Sequence, residues 1–426
     1  MAKIKVGIIG VGDRGVGFVY NFREYADLAE IAGVLDTNRQ RLEAMSYHHR
    51  FTEIPRYDTW ESFTAGAHYD LVLVTTPDDT HPAVITRCLE AGYNVFADKP
   101  LANTPEGLLR IMEAYDRSGR MLLMGFNVRY QNVSRKMKEI AQRGDLGEIK
   151  LGVCHHPEHG IRYFRRWHKF RAKSGGLVIH KGCHQLDILN WIIGSYPVEV
   201  YAQGDLAVFK GAKKGRVCHS CDDLPTCPYA RRLDYRTAQK LRDMYISPAA
   251  LDGYHRNYCP ISDDADVPDF YLVTIRYANG ARASYTEVHF AGESRVEWSF
   301  FGTKAEMSVR RENGQHYVDC INHLEEEKVI YPVATGKGGH GGADPAMTLD
   351  MILSVVTGTS RMPPPEAGVR SSIIGIAAMR SIDENRPIRI EELIPLDLVR
   401  RHPDEDLRRD AAMEALGYAH RTEGLG

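Results

Sequence analysis

Ile4-Lys5-Val6-Gly7-Ile8-Ile9-Gly10-Val11-Gly12-Asp13-Arg14-Gly15 decides the fold of this chain. An apolar run enters a glycine loop, and a helix-compatible stretch, Val16 to Tyr25, follows. Strand, glycine loop and helix in that order make the phosphate-binding unit of a doubly wound α/β sheet. Gly10 allows a tight turn, Gly12 lets the backbone approach a pyrophosphate, and Gly15 lets the helix pack against the strand. The helix N-terminus, at Asp13 and Arg14, offers free N–H groups to phosphates. A second apolar run, Ile31 to Leu35, ends in Asp36. That acid lies about 20 residues past the loop, where a carboxylate binds the adenosine ribose. It repels a 2′-phosphate and so favours NAD, while Arg39 and Arg41 stand close enough to admit NADP.

Working outward, residues 1–126 alternate apolar runs with helical stretches. The runs are Val6–Ile9, Ile31–Leu35, Leu71–Thr75, Tyr93–Ala97 and Met121–Gly125. This alternation predicts a parallel sheet with helices on both faces, a Rossmann dinucleotide-binding domain. Thr104-Pro105-Glu106 has the form of an N-cap followed by proline at the first helical position. Residues 127–395 read differently. Strand signals at Ile149–Cys154, Val198–Leu206, Phe270–Tyr277, Ala281–Glu287 and Glu297–Phe301, with one strong helix from His184 to Ile193, predict an α+β domain with a large, mostly antiparallel open sheet. Asn279-Gly280 reads as a hairpin turn. Residues 207–268 read as a polar insertion holding four of the eight cysteines, and 396–426 as a charged helical tail.

Ligands of an open α/β sheet sit at the carboxyl ends of its strands. That places Asp98-Lys99, Thr76-Pro77 with His81, and Asn127 beside the cofactor. Lys99 can give a proton or hydrogen bond to a substrate hydroxyl, the more so if burial lowers its pKa. His180, His184 and Asp187 are spaced four and three apart and would share one face of a helix. His184 suits a general base, since a neutral imidazole accepts a hydroxyl proton near pH 7. Lys181, directly after His180, disfavours a metal at that pair. Tyr130, Tyr163, Trp167, Lys181 and His340 are candidate substrate contacts. The basic run around Tyr163 and Trp167 either edges the site or is a solvated loop. Cys218, Cys221, Cys227 and Cys259 suggest a structural zinc site, with reduced thiols as the alternative.

With 43% hydrophobic and 26% charged residues and a formal net charge of −2, the chain reads as a globular protein rather than a nucleic-acid or membrane binder. No apolar stretch approaches the ~20 residues of a membrane span. The first strand begins at once, so a cytoplasmic protein with free thiols is expected.

The glycine loop, Asp36, Thr76-Pro77, Asp98-Lys99-Pro100 and the Gly175-Gly176…His184…Asp187 segment, in this order, resemble the glucose–fructose oxidoreductase/inositol dehydrogenase (Gfo/Idh/MocA) family. The resemblance runs from about residue 3 to 395, ending on Arg370 to Ala378, which is similar to the family's closing helix. It implies that Lys99 is the family's E-K-P lysine, with Asp98 for the usual Glu. It implies that His184 is the catalytic histidine and Asp187 the final acid of the pattern, with His180 in place of the pattern's first acid. The implied activity is oxidation of a secondary hydroxyl of a sugar, sugar derivative or cyclitol with NAD or NADP, by a homodimer or homotetramer. Two alternatives stand beside it. One is a glycoside-cleaving enzyme that oxidises C3, eliminates and recycles its NAD, in which His180 and Lys181 act as acid/base groups. The other is a non-catalytic sensor of NAD and sugar. The basic His180-Lys181 pair departs from the inositol dehydrogenase pattern.

Overall fold

The structure, a computed structural model, describes residues 3–211, 215–230, 239–336 and 338–401. Strands β1 (Ile4–Ile9), β2 (Ala29–Leu35), β3 (Arg56–Tyr57), β4 (Leu71–Val74), β5 (Asn94–Ala97) and β6 (Leu122–Met124) form one sheet in the order β3-β2-β1-β4-β5-β6. Every neighbouring pair is parallel. The chain winds outward from β1 to β3, then returns to place β4 beside β1. That reversal opens a crevice at the carboxyl ends of β1 and β4. Helices cover both faces, so β4 is buried throughout and its sequence, Leu-Val-Leu-Val, is apolar without alternation. Helix Pro105–Ser118 begins as its sequence directs: the Thr104 hydroxyl accepts from the Gly107 amide at 3.1 Å, with Pro105 in the first turn.

The second sheet holds β7 (Ile149–Pro157), β8 (Pro197–Asp205), β9 (Phe270–Tyr277), β10 (Arg282–Val288), β11 (Glu297–Gly302), β12 (Ala305–Glu312), β13 (Gln315–Asn322), β14 (Lys328–Val333) and β15 (Ile388–Arg389). Its order is β14-β13-β12-β11-β7-β10-β9-β8-β15. β7 and β10 run parallel; the other pairs are antiparallel. Helices Cys183–Ile193 and Pro365–Glu384 pack on this sheet, and the longer one also reaches β6, joining the two sheets. Helix Ala343–Thr357, late in the chain, returns to the parallel sheet. There Met347, Leu349 and Met351 share a core with Val6, Ile8 and Phe18.

The insertion is tied down at its start by Asp269. This fully buried carboxylate accepts from the amides of Ala207 (3.0 Å), Val208 (2.7 Å) and Phe209 (2.9 Å). Farther on, a π-helical turn, Arg242–Ile246, lies against helix Arg39–His49 of the first sheet. The basic run after Tyr163 is divided: His168 and Lys169 turn inward, while Arg171 and Lys173 stay at the surface. Lys169 is fully buried and its ammonium donates to Ser262 Oγ (2.6 Å) and Asp264 Oδ1 (2.5 Å) of the insertion. The expectation of a structural zinc site finds no support. Cys218, Cys221, Cys227 and Cys259 are free thiols, and among the described residues no three His, Cys, Asp or Glu side chains are grouped to hold a metal. Arg165 and Arg216 stand near these thiols. Of the charged tail, helix Leu396–Arg400 is present, and residues 402–426 lie outside the described residues. No helix among the described residues is long and apolar enough to cross a membrane.

Candidate active site

The glycine loop closes as its sequence requires. Gly10 has φ +91°, and a Cβ there would stand 2.8 Å from Thr76. A Cβ at Gly15 would stand 2.3 Å from the Gly10 carbonyl oxygen. At Gly12 a Cβ would meet nothing within 4 Å. The middle glycine thus faces open space above the helix N-terminus, which is what a dinucleotide pyrophosphate needs. At the end of β2 the Asp36 carboxylate accepts from the amides of Val11 and Asn38, both at 3.0 Å. The residues present therefore fit the adenosine diphosphate half of a nicotinamide cofactor.

Lys99 follows β5, and its ammonium donates to the His180 carbonyl oxygen at 2.9 Å. Burial works to lower its pKa, but Cys183, Asp98 and Asp78 outweigh it and the net shift is upward. This corrects the expectation of a lysine made acidic by desolvation: Lys99 is a lasting cation and a hydrogen-bond donor. Asp98 and Asp344 both take Arg14, at 3.2 and 3.0 Å. Asp344 also accepts from Asn127 Nδ2 at 2.9 Å and pairs with His340 Nδ1 at 2.7 Å. The glycine loop, the end of β5, the segment after β6 and the loop before helix Ala343–Thr357 are thus bound into one network.

His180 and His184 do not share one continuous helix. His180 ends the short helix Leu177–His180, the chain breaks at Lys181-Gly182, and His184 opens helix Cys183–Ile193. Gly182 packs so close to the Val178 carbonyl that a Cβ would stand 2.4 Å from it. His184 is 7% exposed, and its Nδ1 has no hydrogen-bond partner among the described residues. Burial first, then the charges of Lys99, Lys181, His340 and Arg14, hold its pKa well below the usual imidazole value. It is neutral at pH 7 and able to accept a proton.

The His180 Nδ1 lies 2.8 Å from Asp78 Oδ2. Burial raises Asp78 to about 7, whereas burial and Lys99 push His180 well below its normal range. The pair is therefore a hydrogen bond between two groups each driven toward neutrality, not a strong ion pair. Asp78 is a site residue that sequence reading passed over, although it directly follows Thr76-Pro77 at a strand end. Around it stand aromatic rings. Trp167 stacks on His168 at 3.9 Å, His168 meets His180 at 4.2 Å, and Tyr163 meets His180 edge-on at 5.8 Å.

Three expected contacts belong instead to the scaffold. Asp187, 1% exposed, accepts two hydrogen bonds from Arg129, at 2.8 and 2.7 Å, and so is sealed from the crevice. His81, equally buried, spans the Pro100 carbonyl at 2.8 Å and the Thr76 carbonyl at 3.0 Å. It braces two loops rather than facing a cofactor. Tyr130 lies in the core of the parallel sheet, its ring under Arg135 at 5.2 Å.

A doubly wound sheet with an open glycine loop and a lysine at its carboxyl edge, joined to a mostly antiparallel sheet whose helix brings a buried histidine to the same crevice, defines a two-part dinucleotide-dependent oxidoreductase. The chain belongs to the Gfo/Idh/MocA oxidoreductase family. Residues 4–126 match its NAD-binding Rossmann fold and residues 138–390 its C-terminal alpha/beta domain. YteT of Bacillus subtilis (strain 168), a protein named an oxidoreductase, is 29% identical over 87% of this chain and 93% of its own. Inositol 2-dehydrogenase 3 of Saccharopolyspora erythraea is 30% identical over 45% of this chain and 54% of its own. The aldose-aldose oxidoreductase of Caulobacter crescentus superposes with a TM-score of 0.65 at 18% identity, covering 91% of this chain and all of that one.

Proposed function

We propose that this protein is an NAD-dependent dehydrogenase that oxidises a secondary hydroxyl of a sugar, sugar derivative or cyclitol. The observation that carries the reading is the pairing of a neutral His184 with the cationic Lys99 at the carboxyl edge of the parallel sheet. Gly10 to Gly15 and Asp36 would hold the dinucleotide, which when bound supplies the hydride acceptor. His184, a neutral imidazole, takes the hydroxyl proton. The Lys99 ammonium steadies the oxygen as negative charge develops on it. Tyr163 and Trp167 give a ring-bearing substrate two aromatic walls, and Lys181 stands beside them. His340, half exposed and paired with Asp344, lies in a glycine-rich loop at the rim. The inositol and aldose activities named for similar proteins support the substrate class. A homodimer or homotetramer belongs to the same proposal.

A second reading, the redox-recycling glycoside-cleaving enzyme, draws on one observation. The Asp78–His180 hydrogen bond places a further acid/base pair beside Lys99, with the acid titrating at about 7. An elimination step needs such a pair; a simple dehydrogenation does not.

The first reading is tested with Lys99→Ala and His184→Ala on whichever sugar or cyclitol of a panel turns over. Each variant should lower kcat by roughly 10²–10⁴-fold while binding NAD+ normally. Full turnover in either would remove that residue from the chemistry.

A further inference from the structure

The adenosine end of the crevice is roofed by a segment that comes from the insertion of the second half. Asn38, two residues past Asp36, donates through Nδ2 to the Pro248 carbonyl at 2.9 Å and to Asp252 Oδ2 at 2.8 Å. Arg41 lies in the first turn of the next helix, near enough to be a cation that reads a ribose 2′-phosphate. Its guanidinium is already taken. Nη1 and Nη2 both donate to the Asp252 carboxylate, Nε donates to the Met244 carbonyl at 3.2 Å, and the plane lies over the Tyr254 ring at 5.2 Å. Arg41 is 7% exposed as a result. The other nearby cation, Arg39, points to solvent and pairs with Asp58 at 3.4 Å. Asp36, partly buried and held by two amides, feels the charges of both Arg41 and Asp252. The ribose corner thus presents two carboxylates, with Arg41 engaged and Arg39 turned to solvent in a loose pair with Asp58.

We propose that Asp252, carried in by the insertion, is a cofactor-specificity residue: it withholds Arg41 from a 2′-phosphate and so makes the site reject NADP. A planar guanidinium with both terminal nitrogens bound to one carboxylate has no fork left for a phosphate. The proposal rests on the NAD-dependent reading above. It adds that selectivity is set from outside the Rossmann unit, by a segment whose sequence lies more than two hundred residues away. Sequence reading took Arg41 as a residue that admits NADP; the structure shows it committed elsewhere.

The test is equilibrium binding of NAD+ and NADP+, by quenching of protein fluorescence, to wild type, Asp252→Ala, Asp252→Asn, Arg41→Ala and the Asp252→Ala/Arg41→Ala pair. Wild type should bind NAD+ at least about tenfold more tightly than NADP+. Asp252→Ala should tighten NADP+ binding by about tenfold and leave NAD+ within about threefold, because one charge-assisted contact becomes available. Asp252→Asn, which keeps the side-chain shape but not the charge, should move in the same direction. Arg41→Ala alone should leave NADP+ binding at the wild-type level, and in the Asp252→Ala background it should cancel the gain. An NADP+ affinity unchanged in both Asp252 variants, with NAD+ still preferred, overturns this inference and leaves the NAD-dependent reading intact. A wild type that binds neither dinucleotide, or both equally, overturns the two together. Thermal melting of each variant separates a local effect from loss of fold, and Asp252→Asn carries the test if the alanine variant melts early.

Discussion

At the residue scale the site divides into groups that face the crevice and groups that hold it in place. Asp187 belongs to the second kind. Its two hydrogen bonds with Arg129 are fully enclosed, with Trp191 under the guanidinium at 5.0 Å. Removing one partner of such a pair strands the other charge in the interior. Asp187→Ala should therefore cost about 3–5 kcal/mol in urea unfolding. Lys99→Ala should change stability far less than it changes turnover. If Asp187→Ala unfolds like wild type, the acid is not structural and its place in the chemistry returns. Asp78 offers a pH test. Its folded-state pKa is raised, by burial, from an ordinary 3.8 to about 7. A raised pKa means that its stabilising contribution is complete below about 4 and is lost as pH rises to about 7. The stability of wild type relative to Asp78→Asn should fall across that window. A difference independent of pH would contradict the assignment. Lys99 and His184 were legible in the sequence because strand ends and the Gly-Gly…His…Asp spacing fix them. Asp78 was not, because its partner His180 lies 102 positions away.

At the scale of elements, the parallel sheet was legible almost strand by strand. Buried parallel strands leave uninterrupted apolar runs, such as Leu71–Val74. β3, two residues long, leaves no such trace. In the antiparallel sheet β7 to β11 were read, but β12 to β14 were not. β12 ends in charges and β13 mixes polar with apolar residues, while β14, Lys-Val-Ile-Tyr-Pro-Val, is an exposed edge strand carrying a proline, so none shows a clean alternation along its whole length. The break at Lys181-Gly182 was hidden too: there Gly182 packs under the local Val178 carbonyl and against Glu287 and Tyr285 of β10, a contact the local sequence does not announce. The insertion was recognised by composition, but its docking was not, since that depends on single polar contacts. Asp269 is the strongest of them at the near end. It is fully buried and serves three amides, so Asp269→Ala should destabilise the protein by about 3 kcal/mol or more. Protease cutting near residue 210 should speed up with it. Equal urea midpoints for variant and wild type would show that the cap contributes little.

At the scale of the whole molecule, carboxylates with cationic partners tie the glycine-loop edge of the parallel sheet to segments that come later in the chain. Asp344 takes Arg14 and His340; Asp13 takes Arg256 and lies near Arg166. Burial opposes their ionisation, but the cations win: Asp13 is lowered to about 2 and Asp344 also falls below the carboxylate range. Lowered pKa values mean that the stabilisation is present above about 4 and is lost as pH falls toward 2. Acid should therefore loosen these contacts, read as early loss of dinucleotide binding while far-ultraviolet circular dichroism persists. Loss of both signals together would show that these pairs do not set the weak point. The crevice at that edge carries the central claim. The measurement that tests it most directly incubates the purified protein with NAD+ and a panel of sugars, cyclitols and aryl glycosides, following NADH absorbance and aglycone release together. The account predicts a stoichiometric rise in NADH with at least one sugar or cyclitol and no aglycone release. Aglycone release with no net NADH would contradict it and make the protein a redox-recycling glycoside-cleaving enzyme. Tight NAD+ binding with neither signal would contradict both catalytic readings.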